Sequence, residues 1–376
     1  MHSSASRTES GRARPRRLLF VGTLPEPGGA ASHLITLVQA VAAAGHTVGV
    51  LATPGCDIWR ALADDPRVVM YDARFLRTFD RVAMRTLHRA IRELRPDRVV
   101  AVYERDYWGS ALVCAGARVP LSLFLHHAGL KRSNRIALRF IRHHILVPSA
   151  SLRHWLLERG AAAASVDVLQ NPLDTDFFRP DPVLRSETRA MLGVAEGDLL
   201  VGYVGRIESN KGVVPFAESV NEAMTAVPNL RALWVGFGRR EPELDHVIQA
   251  GPFAARHLRR PWASDMRPFY AAMDLLALPS TGPESFGRVL IEAQSSGLPV
   301  LGSDIGGIAE AMQAGTTGKL VAPGDVRAWA AALIDMAQQP LPRASMGAAG
   351  RRFVRATFDS AVIVRRFEQM FPVAGP

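Results

Sequence analysis

Short apolar runs alternate with helical stretches along almost the whole chain, and this alternation restricts the fold more than any other feature. The runs at 17–21, 47–52, 99–103, 122–125 and 145–147 read as strands, with helices expected near 31–44, 80–95, 108–116, 133–143 and 150–159. Such a rhythm predicts a parallel sheet covered on both faces. Pro172, Pro180 and Pro182 then interrupt it and mark a linker. Beyond them the rhythm restarts. Strands are expected at 200–204, 230–235, 275–278 and 300–302, and helices at 213–226, 241–249, 287–296 and 327–338. Residues 345–371 read as helical. The halves share an architecture but no sequence repeat. The expectation is an α/β chain of two Rossmann-like domains facing across a cleft, because ligands bind such sheets at their strand C-terminal ends.

A length of 376 residues suits two domains, and a 48% hydrophobic share is enough for a core in each. Residues 1–15 are rich in Ser, Arg and Gly and read as a disordered tail. No apolar run approaches the roughly 18–20 residues that span a bilayer. The run at 18–21 is too short for a signal peptide. Cys56 and Cys114 form no ligand cluster, which argues against a disulfide scaffold and suits a reducing cytoplasm. The net charge is +10, and all of it falls in residues 1–180, with 25 basic and 15 acidic groups there. A basic half fits anionic partners, whether phosphorylated substrates or lipid headgroups, and equally fits ordinary solvated arginines. Aromatic residues do not interleave with the charges, so nucleic acid is not expected as a partner.

Five clusters carry candidate chemistry. Gly28 and Gly29 lie between the first strand and the first helix, where backbone N–H groups can meet an anion or simply turn the chain. Neither GxGxxG nor a Walker loop is present. Gly205, Arg206 and Lys211 follow the strand at 200–204, and two cations above a strand end can clamp a diphosphate. Glu284, Phe286, Gly287 and Glu292 form the most specific cluster. Glu292 lies on a small and apolar helix face, so it needs a partner: a ribose diol or a nearby arginine. Gly306 and Gly307 follow the strand at 300–302 as a further anion cradle, with Glu310 three residues on. His126 and His127 end the strand at 122–125, where an imidazole can bond a sugar hydroxyl, move a proton or serve structure alone. No residue set has metal-ligand spacing.

Together and in this order, these clusters resemble the GT-B fold nucleotide-sugar glycosyltransferases, specifically the retaining enzymes of family 4, over about residues 17–370. The resemblance is strongest in the second half. It rests on Gly205, Arg206, Lys211 and Gly212, the turn at 235–238, Glu284 with Glu292, the stretch 297–300, Gly306 to Glu310, and the segment 318–325. It implies an acceptor-binding domain at 16–178, a nucleotide-sugar domain at 179–358, and a helix at 359–376 crossing back to the first. Arg206 and Lys211 would bind the donor diphosphate, Glu292 the ribose, and Glu284 the sugar beside the Phe286 and Gly287 backbone. Gly306 and Gly307 would touch phosphate or sugar, Gly28 and Gly29 would lie against the diphosphate, and His126, favoured over His127, would orient the sugar. The implied reaction is a metal-independent transfer without a protein nucleophile or cofactor. Where the family usually has Asn-Gly, this chain has Asn171 and Pro172, and Pro172 lacks the N–H for a backbone contact.

Donor and acceptor are less legible. UDP is favoured on family frequency, carrying a hexose or N-acetylhexosamine. The acceptor is expected to be a small natural product or a cell-envelope glycan or lipid. Arg81, Arg85, Arg89, Arg92 and Arg95 stripe one helix, with Leu87, Ile91 and Leu94 opposite. Such a helix can lie on an anionic membrane or simply cover a core. The expected location is the cytoplasm, with a peripheral place on the inner membrane face left open. The rival reading is a degenerate GT-B binding partner without turnover, disfavoured by the presence of Arg206, Lys211, Glu284 and Glu292.

Overall fold

A computed structural model describes residues 14–24, 28–127 and 143–371. Most of the expected tail and of the helix near 133–143 lies outside the described residues. One sheet holds β1 (Arg17–Val21), β2 (Thr47–Ala52), β3 (Val68–Asp72), β4 (Arg98–Ala101), β5 (Leu121–Phe124), β6 (His144–Val147) and β7 (Val166–Val168), in the order β3-β2-β1-β4-β5-β6-β7. The other holds β8 (Leu199–Val204), β9 (Leu230–Val235), β10 (His257–Arg260), β11 (Leu275–Leu278), β12 (Val300–Ser303) and β13 (Gly318–Val321), in the order β10-β9-β8-β11-β12-β13. Their ladders are parallel, with Leu19 of β1 opposite Gly49 of β2 and Val99 of β4, and Val201 of β8 opposite Ala232 of β9 and Leu275 of β11. Both sheets are doubly wound, reversing direction at β1/β4 and at β8/β11.

Contacts divide the chain into two compact units. One comprises Met1–Phe124, Arg132–Ile145 and Val364–Pro376, and the other Leu125–Lys131 and Leu146–Ile363. The division thus falls ahead of the proline-rich segment at 171–182. In the second unit, period-two alternation sorts the strands into two cores. Leu200 and Val204 of β8 join Leu233, Leu276 and Phe286 on one face. Val201 and Tyr203 join Trp234, Phe216 and Trp329 on the other. Gly202 sits where a Cβ would strike the Met273 sulfur at 2.1 Å, so a larger residue there requires the Met273 side chain to move.

The helical stretch expected at 345–371 consists of two helices, Pro340–Thr357 and Ser360–Met370. The break has a cause. Leu173 N–H donates to the Phe358 carbonyl, and Ser360 N–H to the Leu173 carbonyl, at 2.8 and 2.9 Å, while Thr175 Oγ1 donates to Asp359 at 2.6 Å. These bonds give the backbone at 358–360 partners outside a helix. The arginine-striped helix is Arg81–Leu94, and its Leu87, Ile91 and Leu94 are buried within its own unit. That face covers a core and is not open to lipid.

Helix Ser360–Met370 ends against β1 and the turn before β2. Arg16 N–H donates to His46 Nδ1 at 3.0 Å, so the ring proton sits on Nε2 and points to Glu368 Oε1 at 2.8 Å. Arg16 also donates to the Glu368 carbonyl at 2.8 Å, and the Arg98 guanidinium lies 3.7 Å from the Phe371 ring centroid. Glu368→Ala leaves the buried His46 N–H without its acceptor, and a loss of about 1–2 kcal/mol is expected in urea titration. Glu368→Gln keeps an acceptor and should retain most of the stability.

Candidate active site

Loops on either side of a reversal in strand order part and leave a crevice at the strand C-terminal ends. In the second unit these are the loops after β8 and β11. They are pressed together by backbone. Gly212, at φ 66°, ends the first loop, and a Cβ there would lie 2.0 Å from the Pro279 carbonyl oxygen. Thr281 and Gly282 N–H both donate to the Asn210 carbonyl, at 3.0 and 2.9 Å. Gly205, at φ 153°, turns the chain off β8, and the Tyr203 hydroxyl donates to the Arg206 carbonyl at 2.6 Å.

This close approach brings Lys211 to Glu284. Lys211 Nζ lies 2.5 Å from Glu284 Oε2, and the Ser280 hydroxyl donates to the same oxygen at 3.1 Å. Both charged side chains are largely shielded, at 16% exposure. Arg206 is exposed in the same loop. The loop after β12 closes on them: Gly307 N–H donates to the Glu284 carbonyl at 2.8 Å. A Cβ on Gly306 would come within 2.3 Å of that oxygen, and one on Gly307 within 2.2 Å of the Ser285 carbonyl. Glycine is required by contact here, not only by turn geometry.

Helix Arg288–Ser295 starts at Gly287, φ 92°, behind the Phe286 side chain. Phe286 is buried and packs edge-on against Phe358 at 5.3 Å, so only its backbone is available to a ligand. Glu292, also buried, accepts from Arg288 Nε at 2.8 Å and from the Tyr270 hydroxyl at 2.7 Å. Burial first, and then the Glu292 charge, holds the Tyr270 phenol far above its ordinary range, so it stays a donor. An arginine and a tyrosine partner Glu292, and a carboxylate's four lone-pair sites leave room for more donors. Arg288 Nη1 also donates to the Pro172 carbonyl at 3.0 Å, so the segment without the N–H is engaged through its oxygen.

His126 is partly exposed, but surrounding protein pushes its imidazole down to about 3, burial first and then its neighbours His127 and Arg288. It is neutral at ordinary pH. His127 is exposed. Gly28 and Gly29 precede and open helix Gly29–Ala43 in the first unit, with open space where a Cβ would stand. The structure therefore gathers Lys211, Glu284, Gly306 and Gly307, places Glu292 on the adjoining helix, and holds Gly28 and Gly29 in the other unit. Sequence reasoning did not name Ser280 or Tyr270, and it weighed an arginine partner for Glu292 without singling one out. Arg288 was within reach, four residues before Glu292 on one helix. Tyr270 had no local signal. Among the described residues, no three His, Cys, Asp or Glu side chains converge as metal ligands.

Residues 27–177 match the family described as Glycosyltransferase Family 4, and residues 198–339 match the one described as Glycosyl transferases group 1. The chain thus carries two matched glycosyltransferase domains, one in each half. Its two doubly wound units are the GT-B architecture expected from the sequence. Among the curated relatives, the D-inositol 3-phosphate glycosyltransferase of Mycobacterium marinum is 33% identical over 208 residues, 54% of this chain and 42% of its own length. The match thus spans less than half of that relative. Among solved folds, Anabaena Alr3699/HepE in complex with UDP and glucose has a TM-score of 0.82 at 22% identity, covering 94% of this chain and 98% of that one. A glycosyltransferase from Rickettsia africae has a TM-score of 0.84 at 19% identity, covering 96% and 100%.

The neutral histidines set a sign for acid sensitivity. His126 and His257 are held at about 3 and about 4, below the ordinary 6.5, chiefly by burial. The unfolded chain takes up their protons first, so stability falls as pH drops from 6.5 toward those values. Each should cost up to about 1 kcal/mol per pH unit in that window. Asp106, pushed up to about 6 by burial, acts in the opposite direction between about 6 and 3.8. Urea midpoints at pH 7 and 4.5 should separate less in His126→Asn than in the parent.

Proposed function

We propose that the protein is a retaining glycosyltransferase that takes a hexose or N-acetylhexosamine from a nucleoside-diphosphate sugar, UDP first, and moves it to an acceptor hydroxyl. The bond made is α-glycosidic, and the reaction needs no metal. The observation that carries this reading is the Lys211–Glu284 pair at the reversal of strand order, with Arg206 in the same loop, in a chain with two matched glycosyltransferase domains. The UDP and glucose bound by the Anabaena neighbour support the donor.

In this reading Arg206 and Lys211 stabilise charge on the departing diphosphate. Fixed donors aimed at developing charge lower the barrier, because they need no reorganisation. Gly306 and Gly307, with Gly28 and Gly29, add backbone contacts to phosphate or sugar. Glu284 accepts from sugar hydroxyls and Glu292 from the ribose. Neutral His126 orients the sugar and adds no competing charge. The relatives' name supports a small phosphorylated polyol as acceptor, consistent with the basic first half.

A lipid-linked acceptor at an anionic membrane is the second reading, favoured by one patch. Leu76, Phe79 and Val82 are 61, 55 and 66% exposed beside Arg77, Arg81 and Arg85. Exposed apolar side chains among arginines suit an anionic lipid surface. The protein should sediment with phosphatidylglycerol vesicles and not with phosphatidylcholine. Phe79→Ser with Val82→Ser should abolish that, and absence of sedimentation leaves the soluble acceptor alone.

A thermal-shift panel with UDP, GDP and ADP tests the donor. Saturation at 100 times the dissociation constant adds about 2.7 kcal/mol. The expected shift is with UDP, unchanged by EDTA; no shift with any nucleotide would overturn the reading. Lys211→Ala should lose the shift and turnover together. Glu284→Gln releases Lys211 from its carboxylate, so UDP should bind severalfold more tightly while sugar transfer falls. Weaker UDP binding in that variant would remove Lys211 from the diphosphate.

A further inference from the structure

Glu310 follows the glycine pair at the end of the turn Gly306–Ala311, which reaches a second element. Its carboxylate accepts from the Ala150 N–H at 2.7 Å through one oxygen and from the Ser151 N–H at 2.8 Å through the other. These are the first two N–H groups of helix Ala150–Leu157, which have no partner within the helix. The Ser149 hydroxyl accepts the third, from Leu152, at 3.1 Å. Glu310 thus completes the N-terminus of a helix more than 150 residues earlier in the chain.

The other side of the turn meets the site. Gly307 N–H holds the Glu284 carbonyl, and Gly306 and Gly307 lie against the Glu284–Ser285 backbone with no room for a Cβ. Ile308 and Ala311 are fully buried beneath it, and Gln294 Nε2 donates to the Ala311 carbonyl at 2.7 Å. A glycine pair has no side chains to fix its own backbone. Its position is therefore set by three outside holds: the core, the Glu284 carbonyl and Glu310.

We propose that Glu310 is a positioning residue for the donor side of the site. Its two-oxygen grip on the N-terminus of helix Ala150–Leu157 holds the Gly306–Gly307 backbone, and through it Glu284, in place. The inference rests on the donor reading above. Displacements of about 1 Å at a reacting site can cost about a hundredfold in rate, so loosening this turn should be measurable.

The test compares Glu310→Ala, Glu310→Gln and Ser149→Ala by calorimetric titration with UDP and UDP-glucose and by amide exchange at Gly307. Ser149→Ala removes the neighbouring cap of the same helix without touching the turn. Glu310→Ala should weaken UDP-glucose binding about tenfold or more, and speed exchange at Gly307. Glu310→Gln, with one accepting oxygen, should fall between. Ser149→Ala should lower Tm and leave affinity and Gly307 exchange within about twofold. Equal losses in Ser149→Ala and Glu310→Ala at matched Tm would overturn the proposal, as would parental binding and exchange in Glu310→Ala. If the parent binds neither UDP nor UDP-glucose, the donor reading has failed, and Gly307 exchange alone still decides the positioning role.

Discussion

Backbone pressed on backbone is the constraint on which the second unit's site depends. Gly212 against Pro279, Gly236 against Gly205, and Gly306 and Gly307 against Glu284 and Ser285 all leave no space for a Cβ. Four loops from four strands can converge only because these positions are bare. That convergence, not the length of any side chain, brings an ammonium and a carboxylate from positions 73 residues apart to hydrogen-bond distance. The same closeness shields the pair from water, which strengthens its electrostatics and lets a bound anion compete for the lysine.

The partners around Glu284 and Glu292 form a graded set. Glu284 faces a mobile donor, Lys211, and a hydroxyl, Ser280. Glu292 faces a planar, permanently charged one, Arg288, and a phenol locked by burial, Tyr270. The first carboxylate can exchange partners at little cost. The second is held by groups that themselves reach Pro172 and the core, so it is the better fixed of the two.

Much of this was legible in the residues. Strands β1, β2, β9 and β11 coincide with their apolar runs, because a strand buried on both faces is a continuous apolar string. The strands β3, β7, β10 and β13, which went unmarked, sit at or beside sheet edges. β10 reads His257–Arg260, with two arginines, and carries no such string. The glycine-rich loops and both glutamates stood out because their chemistry is local in sequence. Ser280, Tyr270 and the helix-capping role of Glu310 did not, since each depends on elements brought together only by folding. The resemblance implied a boundary at 358–359, but the bonds that make it had no local signal, because their partner is Leu173.

The ties from Arg16 and His46 to Glu368 join residues more than 300 positions apart. They give the two units different histories during synthesis. The first unit takes its closing helix from a segment made after nearly all of the second unit, so it stays unfinished until that segment has emerged. The second unit has nearly all of its sequence in one stretch, 146–363, and can complete its core before that point. The nascent protein is thus led to assemble its later half first, against the usual order from the N-terminus.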